Sequence, residues 1–175
     1  ESLPRLEQLP ESMDTCAVYL AVDGSMGIAC KEGVCVLTPM EVQMNGLSFE
    51  ESKLILHDSK TTMHRLDEMG ISFGECIFDT ALAAYDLNPS QSDYPVSKLA
   101  TNFLGISAED EDAAVCAEAI WNLHSALKEE LEKNGMTRLY EEMELPLCEV
   151  LYRMEKRGIS IDKKLLEQFG QMLAE

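Results

Sequence analysis

The densest run of chemically capable side chains is HDSKTTMH, residues 57–64. Two histidines, an aspartate, a lysine and three hydroxyls there could bind a metal or move a proton. A zinc reading needs His57, Asp58 and His64 to converge, but their spacing is not the i, i+4 pair of a zinc-binding helix. The structural reading fits better: Asp58 and Ser59 serve a strand-to-helix turn, with both histidines as surface or satisfied polar groups. Asp79-Thr80 suits a helix cap better than a ligand pair. The acidic run Glu109–Asp112 suits a solvated helix start, which the helix dipole favours. Cys16, Cys30, Cys35, Cys76, Cys116 and Cys148 form no CxxC pair and mostly sit inside apolar runs. That is the usage of reduced, buried thiols; a disulfide framework or a zinc site is the alternative.

The charge balance narrows the function classes. Against 14 Lys and Arg stand 32 Asp and Glu, a formal charge of −18. Such a surface repels a phosphate backbone over most of its area, whereas a nucleic-acid-gripping domain needs a basic face. The basic residues do not cluster until Arg153, Lys156, Arg157, Lys163 and Lys164. Apolar residues make up 46% of the chain, enough for a packed core. No apolar run approaches the roughly 20 residues of a membrane helix, and the start, ESLPRLEQLPESMD, has neither the basic nor the apolar region of a signal peptide. It reads as an acidic, proline-punctuated linker, consistent with a piece of something longer and with a cytoplasmic setting.

The elements that must position these residues follow from patterning. CAVYLAVD (16–23) is a doubly buried strand. MGIACK (26–31) and VCVLTP (34–39) flank the turn Glu32-Gly33, so an antiparallel meander opens the fold. KLILH (53–57) and ECIF (75–78) are further strands. Ser59 is placed to cap a helix carrying Met63, Leu66 and Met69, closed by Gly70. Asp79 is placed to cap the next, with Leu82, Ala83 and Leu87 inward and Pro89 after it. Residues 88–95 are a loop, and Val96 to Leu104 is a short helix ending at Gly105. Ser107 with Asp110 resembles a capping box for a long helix to about Asn134, with Ile120, Trp121, His124, Leu127 and Leu131 inward. The methionines fall at core spacing. From Thr137 on there is no strand signal. Leu139, Met143, Leu147, Val150, Leu151 and Met154 form an apolar stripe, which Pro146 should kink or restart and Gly158 ends. Asp162 then caps a last helix, with Ile161 and Leu166 as a hydrophobic staple and Leu165, Leu166, Phe169, Met172 and Leu173 exposed. This gives an α/β domain with a mixed sheet over 15–136, after a linker at 1–14 and before a helical extension over 137–175.

Two stretches say more than periodicity. ILHDSKTTMHRLDEMGISFGECIFDTALAAYDLNP (55–89) resembles the middle of the 3′–5′ exonuclease domain of bacterial DNA polymerase I, family A. MELPLCEVLYRMEKRGISIDKKLLEQFGQMLAE (143–175) resembles the junction where that domain passes into the polymerase domain. The resemblance implies a ribonuclease H-like fold, in agreement with the element order. It also implies a parent that acts in bacterial DNA replication and repair as a nucleotidyltransferase, and a junction leading into that parent's polymerase domain.

Active relatives hydrolyse DNA ends with two divalent metals, about 4 Å apart, that activate a water and stabilise the leaving oxygen. Oxygen ligands of high negative charge suit Mg²⁺. The resemblance places the ligands at three motifs, and this chain departs from each. At Asp-x-Glu, Asp23 keeps the first position and Ser25 replaces the glutamate; an alignment one residue earlier leaves Val22 and Gly24. At Asn-x-x-x-Asp stand Asp58 and Thr62. At Tyr-x-x-x-Asp stand Asp112 and Cys116, and a thiol is too soft for Mg²⁺. The expectation is a degenerate, catalytically silent exonuclease domain with no metal or cofactor of its own, at most Asp23 remaining as a ligand. Its partners would be the polymerase domain of the same chain and, through the parent, DNA, without a membrane. The alternative is an active exonuclease with a rewired acidic site made of Asp23, Asp58 and Asp112.

Overall fold

The computed structural model describes residues 3–10, 12–44 and 46–173. Glu1, Ser2 and Glu11 of the expected linker, Asn45, and Ala174 and Glu175 of the expected last helix lie outside the described residues. The chain opens with β1 (Thr15–Leu20), β2 (Met26–Cys30) and β3 (Gly33–Leu37), followed by a short α1 (Pro39–Met44). Then come β4 (Ser48–Phe49), β5 (Lys53–Leu56), α2 (Ser59–Glu68), β6 (Ser72–Phe73), β7 (Cys76–Asp79) and α3 (Thr80–Leu87). α4 (Val96–Leu99) runs into a π-helical turn (Ala100–Leu104), and α5 (Ala113–Lys133) is the long helix. The tail is α6 (Thr137–Leu139), a second π-helical turn (Tyr140–Glu144), α7 (Leu145–Arg157) and α8 (Lys163–Leu173).

Five strands form one mixed sheet in the order β3-β2-β1-β5-β7. β1 pairs antiparallel with β2 and parallel with β5, and β5 pairs parallel with β7. The small β4 and β6 pair separately; their two-residue length hid them from a periodicity reading. Alternation along each strand divides its side chains between two cores, the reason these strands read as continuous apolar runs. Ala17, Ala29, Val34 and Ile55 face α3 and α5. Cys16, Val18, Ile28, Cys35, Leu54 and Leu56 face the other way, with Met63 and Leu66 of α2 and Tyr152 of α7. α5 lies so close over β2 that a β-carbon on Gly27 would stand 1.8 Å from the Ala113 carbonyl oxygen.

Several expectations need correction. β1 ends at Leu20, not Asp23, because the chain turns at once: Ala21 N–H bonds to Ser25 O, and Gly24 takes φ 87°. α2 is capped by Asp58, not Ser59; Asp58 adopts the left-handed conformation and its carboxylate accepts from Thr61 N–H. α5 starts later than the Ser107–Asp110 box predicts, with Asp112 accepting from Ala114 and Val115. Asp110 instead holds Ser97, at 3.0 Å from both its N–H and its hydroxyl. The segment read as a linker lies along β3: Leu6 N–H bonds to Val34 O and Val34 N–H to Pro4 O. In the tail, the restart expected at Pro146 is seen: α7 begins at Leu145, directly after the second π-helical turn, with Pro146 in its first turn. Asp162 does cap α8, but Ile161 and Leu166 are both exposed and make no staple. The stripe on Met143, Leu147, Val150 and Met154 is also exposed, and α7 packs through Tyr152 instead. Of the methionines, Met26 and Met63 are buried, Met13 and Met136 are half-buried, and Met40, Met44, Met69, Met143, Met154 and Met172 are exposed.

Candidate functional site

The parallel strands β1, β5 and β7 end together, and the ends of β5 and β7 bring His57, Asp58, Asp79 and Thr80 side by side. Asp79 is the centre of this edge. Its carboxylate is buried and accepts four backbone N–H bonds: from Asp58 (3.1 Å), Ser59 (2.6 Å), Ala81 (2.9 Å) and Leu82 (3.2 Å). One side chain thus caps α3 and pins the entry of α2, where Asp58 is held in the left-handed conformation. The Asp79 backbone is engaged as well. Its N–H donates to the Tyr140 hydroxyl (2.6 Å), which donates back to the Asp79 carbonyl (3.1 Å). Tyr140 is fully buried beside Phe78, and burial raises its phenol far above the usual range.

His57 Nδ1 lies 2.9 Å from Thr80 Oγ1. Burial lowers the pKa of its imidazole, against the pull of Asp79, Asp58 and Asp110. His64 does not approach His57's partners; it points along α2 to Glu155 of α7 at 2.9 Å and meets the Tyr152 ring at 4.8 Å. The two histidines of HDSKTTMH therefore serve two separate contacts.

The six positions drawn from the resemblance are distributed as follows. Asp23 is exposed on the β1–β2 turn, its Oδ1 accepting from the Ser25 N–H (2.8 Å) and hydroxyl (2.6 Å), bonds that hold its carboxyl below the usual pKa. The parallel register matches Ala17 with Ile55. Continued two residues, it sets Tyr19 level with His57, while Asp23 stands beyond the strand, on the β1–β2 turn. Arg65 of α2 fixes that end of β1 by donating to the carbonyls of Leu20 (2.7 Å) and Ala21 (2.9 Å). Thr62 donates to the His57 carbonyl (2.9 Å). Asp58 and Asp112 are the helix caps described above. Cys116 is fully buried, its thiol on the Glu109 carbonyl (3.3 Å), and burial pushes it up to about 12.

Sequence reading missed Tyr19. Its hydroxyl donates to the Asp110 carbonyl at 2.8 Å, and its ring fills the space between β1 and the start of α5, beside Cys116. The lone large polar residue in an otherwise small, apolar strand was the available signal. Among the described residues, no three His, Cys, Asp or Glu side chains gather where an ion could be held. The donor set does not fit a pair of Mg²⁺ ions, which need several converging carboxylates. The six cysteines are free, with Cys76 and Cys148 half-buried and the rest buried. No helix among the described residues is long and apolar enough to cross a membrane.

No protein-family model matches the chain. Among curated proteins it is 33% identical over 153 residues to DNA polymerase I of Bacillus subtilis, covering 76% of this chain and 17% of that protein. It is 31% identical over 194 aligned residues to DNA polymerase I of Mycobacterium leprae, covering 94% of this chain and 21% of that protein. The chain therefore spans about a fifth of the length of these relatives. Among solved structures it resembles the POL domain of Pol1 from M. smegmatis in complex with DNA primer-template and dNTP. That match has a TM-score of 0.73 at 28% identity, covering 91% of this chain and 31% of that one. Brucella melitensis NrnC bound to pGG shares the fold at 14% identity, with a TM-score of 0.65 over 88% of this chain and 91% of that one. Over most of its own length, then, the chain is DNA polymerase I-like, built on a ribonuclease H-like α/β fold.

Proposed function

We propose that the chain is a stretch of a family A DNA polymerase whose exonuclease-like domain, residues 15–136, is catalytically silent and supports the polymerase domain to which residues 137–175 lead. The observation that carries this reading is the engagement of every candidate ligand in local structure. Asp23 closes a turn, Asp58 and Asp112 cap helices, Thr62 bonds backbone, and Cys116 is a buried, protonated thiol. A charge of −18 suits a body that meets protein more than DNA. The polymerase reaction, its DNA and its deoxynucleotides would belong to the rest of a cytoplasmic parent. The test is calorimetric titration of the chain with Mn²⁺ beside a gel assay on an end-labelled single strand. The expected result is no stoichiometric heat and an intact strand. Metal binding with stepwise shortening from the 3′ end would replace this reading with a rewired site at Asp23, Asp58 and Asp112.

A further inference from the structure

Among the described residues, twelve of the nineteen exposed large apolar side chains fall between Met143 and Leu173, so the open apolar surface is concentrated on the tail. A contiguous patch of that kind marks an interaction surface. Leu147, Val150 and Met154 of α7, with Met143 just before it, are all exposed. The helical repeat places them opposite Tyr152, through which α7 meets the body. No residue of α8 is buried, and a helix of 11 residues is marginal without a surface to pack on. The α7 stripe runs at intervals of four, three and four residues, the seam of a coiled coil. That spacing reads the same in both directions, so a second copy laid antiparallel brings Met143 against Met154 and Leu147 against Val150. Charge is divided along the same axis. Glu141, Glu142, Glu144 and Glu149 lie in the first half, which has no Lys or Arg. Arg153 and Arg157 lie in the second half, with Lys163 and Lys164 beyond. Glu155 and Lys156 are turned to α2, on Lys60, His64 and Asp67, and Arg153 also pairs with Glu149 of its own helix.

We propose that the chain pairs with a second copy of itself, α7 against α7 antiparallel about a twofold axis, with the two α8 helices packed on the same seam. The antiparallel arrangement lays the acidic half of one α7 beside the basic half of the other, and it opposes the two helix dipoles favourably. A parallel arrangement would set like charge beside like. Because each copy offers the same patch, the contact closes as a dimer and does not propagate. Two helices from each copy then cover one apolar core, as in a four-helix bundle. This holds whether or not the exonuclease-like domain is silent.

The test is sedimentation velocity of the full chain over about 1–300 µM, the range in which weak protein contacts dissociate. The mass is expected to rise from 19.5 kDa toward twice that value. Val150→Glu puts a charge at the centre of the seam and should hold the chain monomeric at every concentration, with an unchanged circular dichroism spectrum. Arg153→Glu with Arg157→Glu sets acidic halves together and should weaken the dimer about 10-fold or more. Adding Glu141→Lys and Glu144→Lys to that chain reverses the polarity and should restore pairing. A wild type that stays monomeric throughout would overturn the proposal and leave the face to another protein or chain segment. So would a dimer that Val150→Glu does not break, or a charge reversal that does not restore pairing.

Discussion

Replacing Asp79 with alanine strips the acceptor from four backbone N–H groups at once. Two belong to the first turn of α3, and losing such a cap costs about 1 kcal/mol, within a range of roughly 0.5–2. The other two pin the entry of α2, and a buried donor left unsatisfied costs about 1–3 kcal/mol. Because the four share one carboxylate and one rearrangement, the sum is not additive; about 3–5 kcal/mol is expected. For a chain of this size that lowers Tm by about 6–20 °C. Asp79→Asn separates geometry from charge. It keeps one acceptor, Oδ1, for Asp58, Ala81 and Leu82, but turns an amide N–H₂ toward the Ser59 N–H, so it should lose about half as much. The assay is thermal and urea unfolding of wild type and both variants, read at the same pH. If Asp79→Ala stays within about 1 kcal/mol of wild type, the carboxylate is not what joins the two helix starts. If its stability holds while a measurable Mn²⁺ affinity disappears, Asp79 is a ligand and its reading as a cap is wrong.

Other substitutions probe separate parts of the fold. Gly27→Ala should cost about 3 kcal/mol or more, read by urea unfolding, because its β-carbon meets the Ala113 carbonyl and α5 must lift off β2. Tyr152→Ala removes the ring set against His64 and Phe73 and should cost about 3–5 kcal/mol; limited proteolysis should then cut within α7 first. Cys116→Asp puts a carboxylate where the resemblance wants one. It should destabilise by about 3 kcal/mol, because the site is buried and Tyr19 fills its approach, and calorimetry should show no gain in Mn²⁺ binding.

The five strands of the main sheet and the longer helices were legible because each carried its own local signal, whereas α1, β4 and β6 were too short to carry one. The runs KLILH and ECIF and the Gly70, Gly105 and Gly158 stops needed nothing from tertiary structure. The helix starts were less legible where two capping residues stood side by side. Asp58 and Ser59 compete for one role, and the decision rests with Asp79, which pulls the Ser59 N–H from 20 residues away. Ser107, Asp110 and Asp112 posed the same choice, settled by the pull of Ser97 on Asp110. The candidate site was legible as a set of altered residue types, not as a place. Tyr19 could not be assigned to it, since only the β1–β5 register and the position of α5 bring that ring to Cys116. Tyr140 and Tyr152 were missed for a related reason: their partners come from distant elements, and no spacing rule connects them.

A five-stranded open sheet has two rims, and here both are closed by parts of the chain outside the five strands. Pro4 and Leu6 bond along β3, while Tyr140 and α7 lie against β7. Bare rims of paired strands recruit other chains, so these covers guard against aggregation. Cutting the chain back to residues 15–136 would keep every core strand and still uncover both rims. Such a trimmed domain should retain its fold by circular dichroism yet associate strand to strand at high concentration, a liability that the longer chain does not carry.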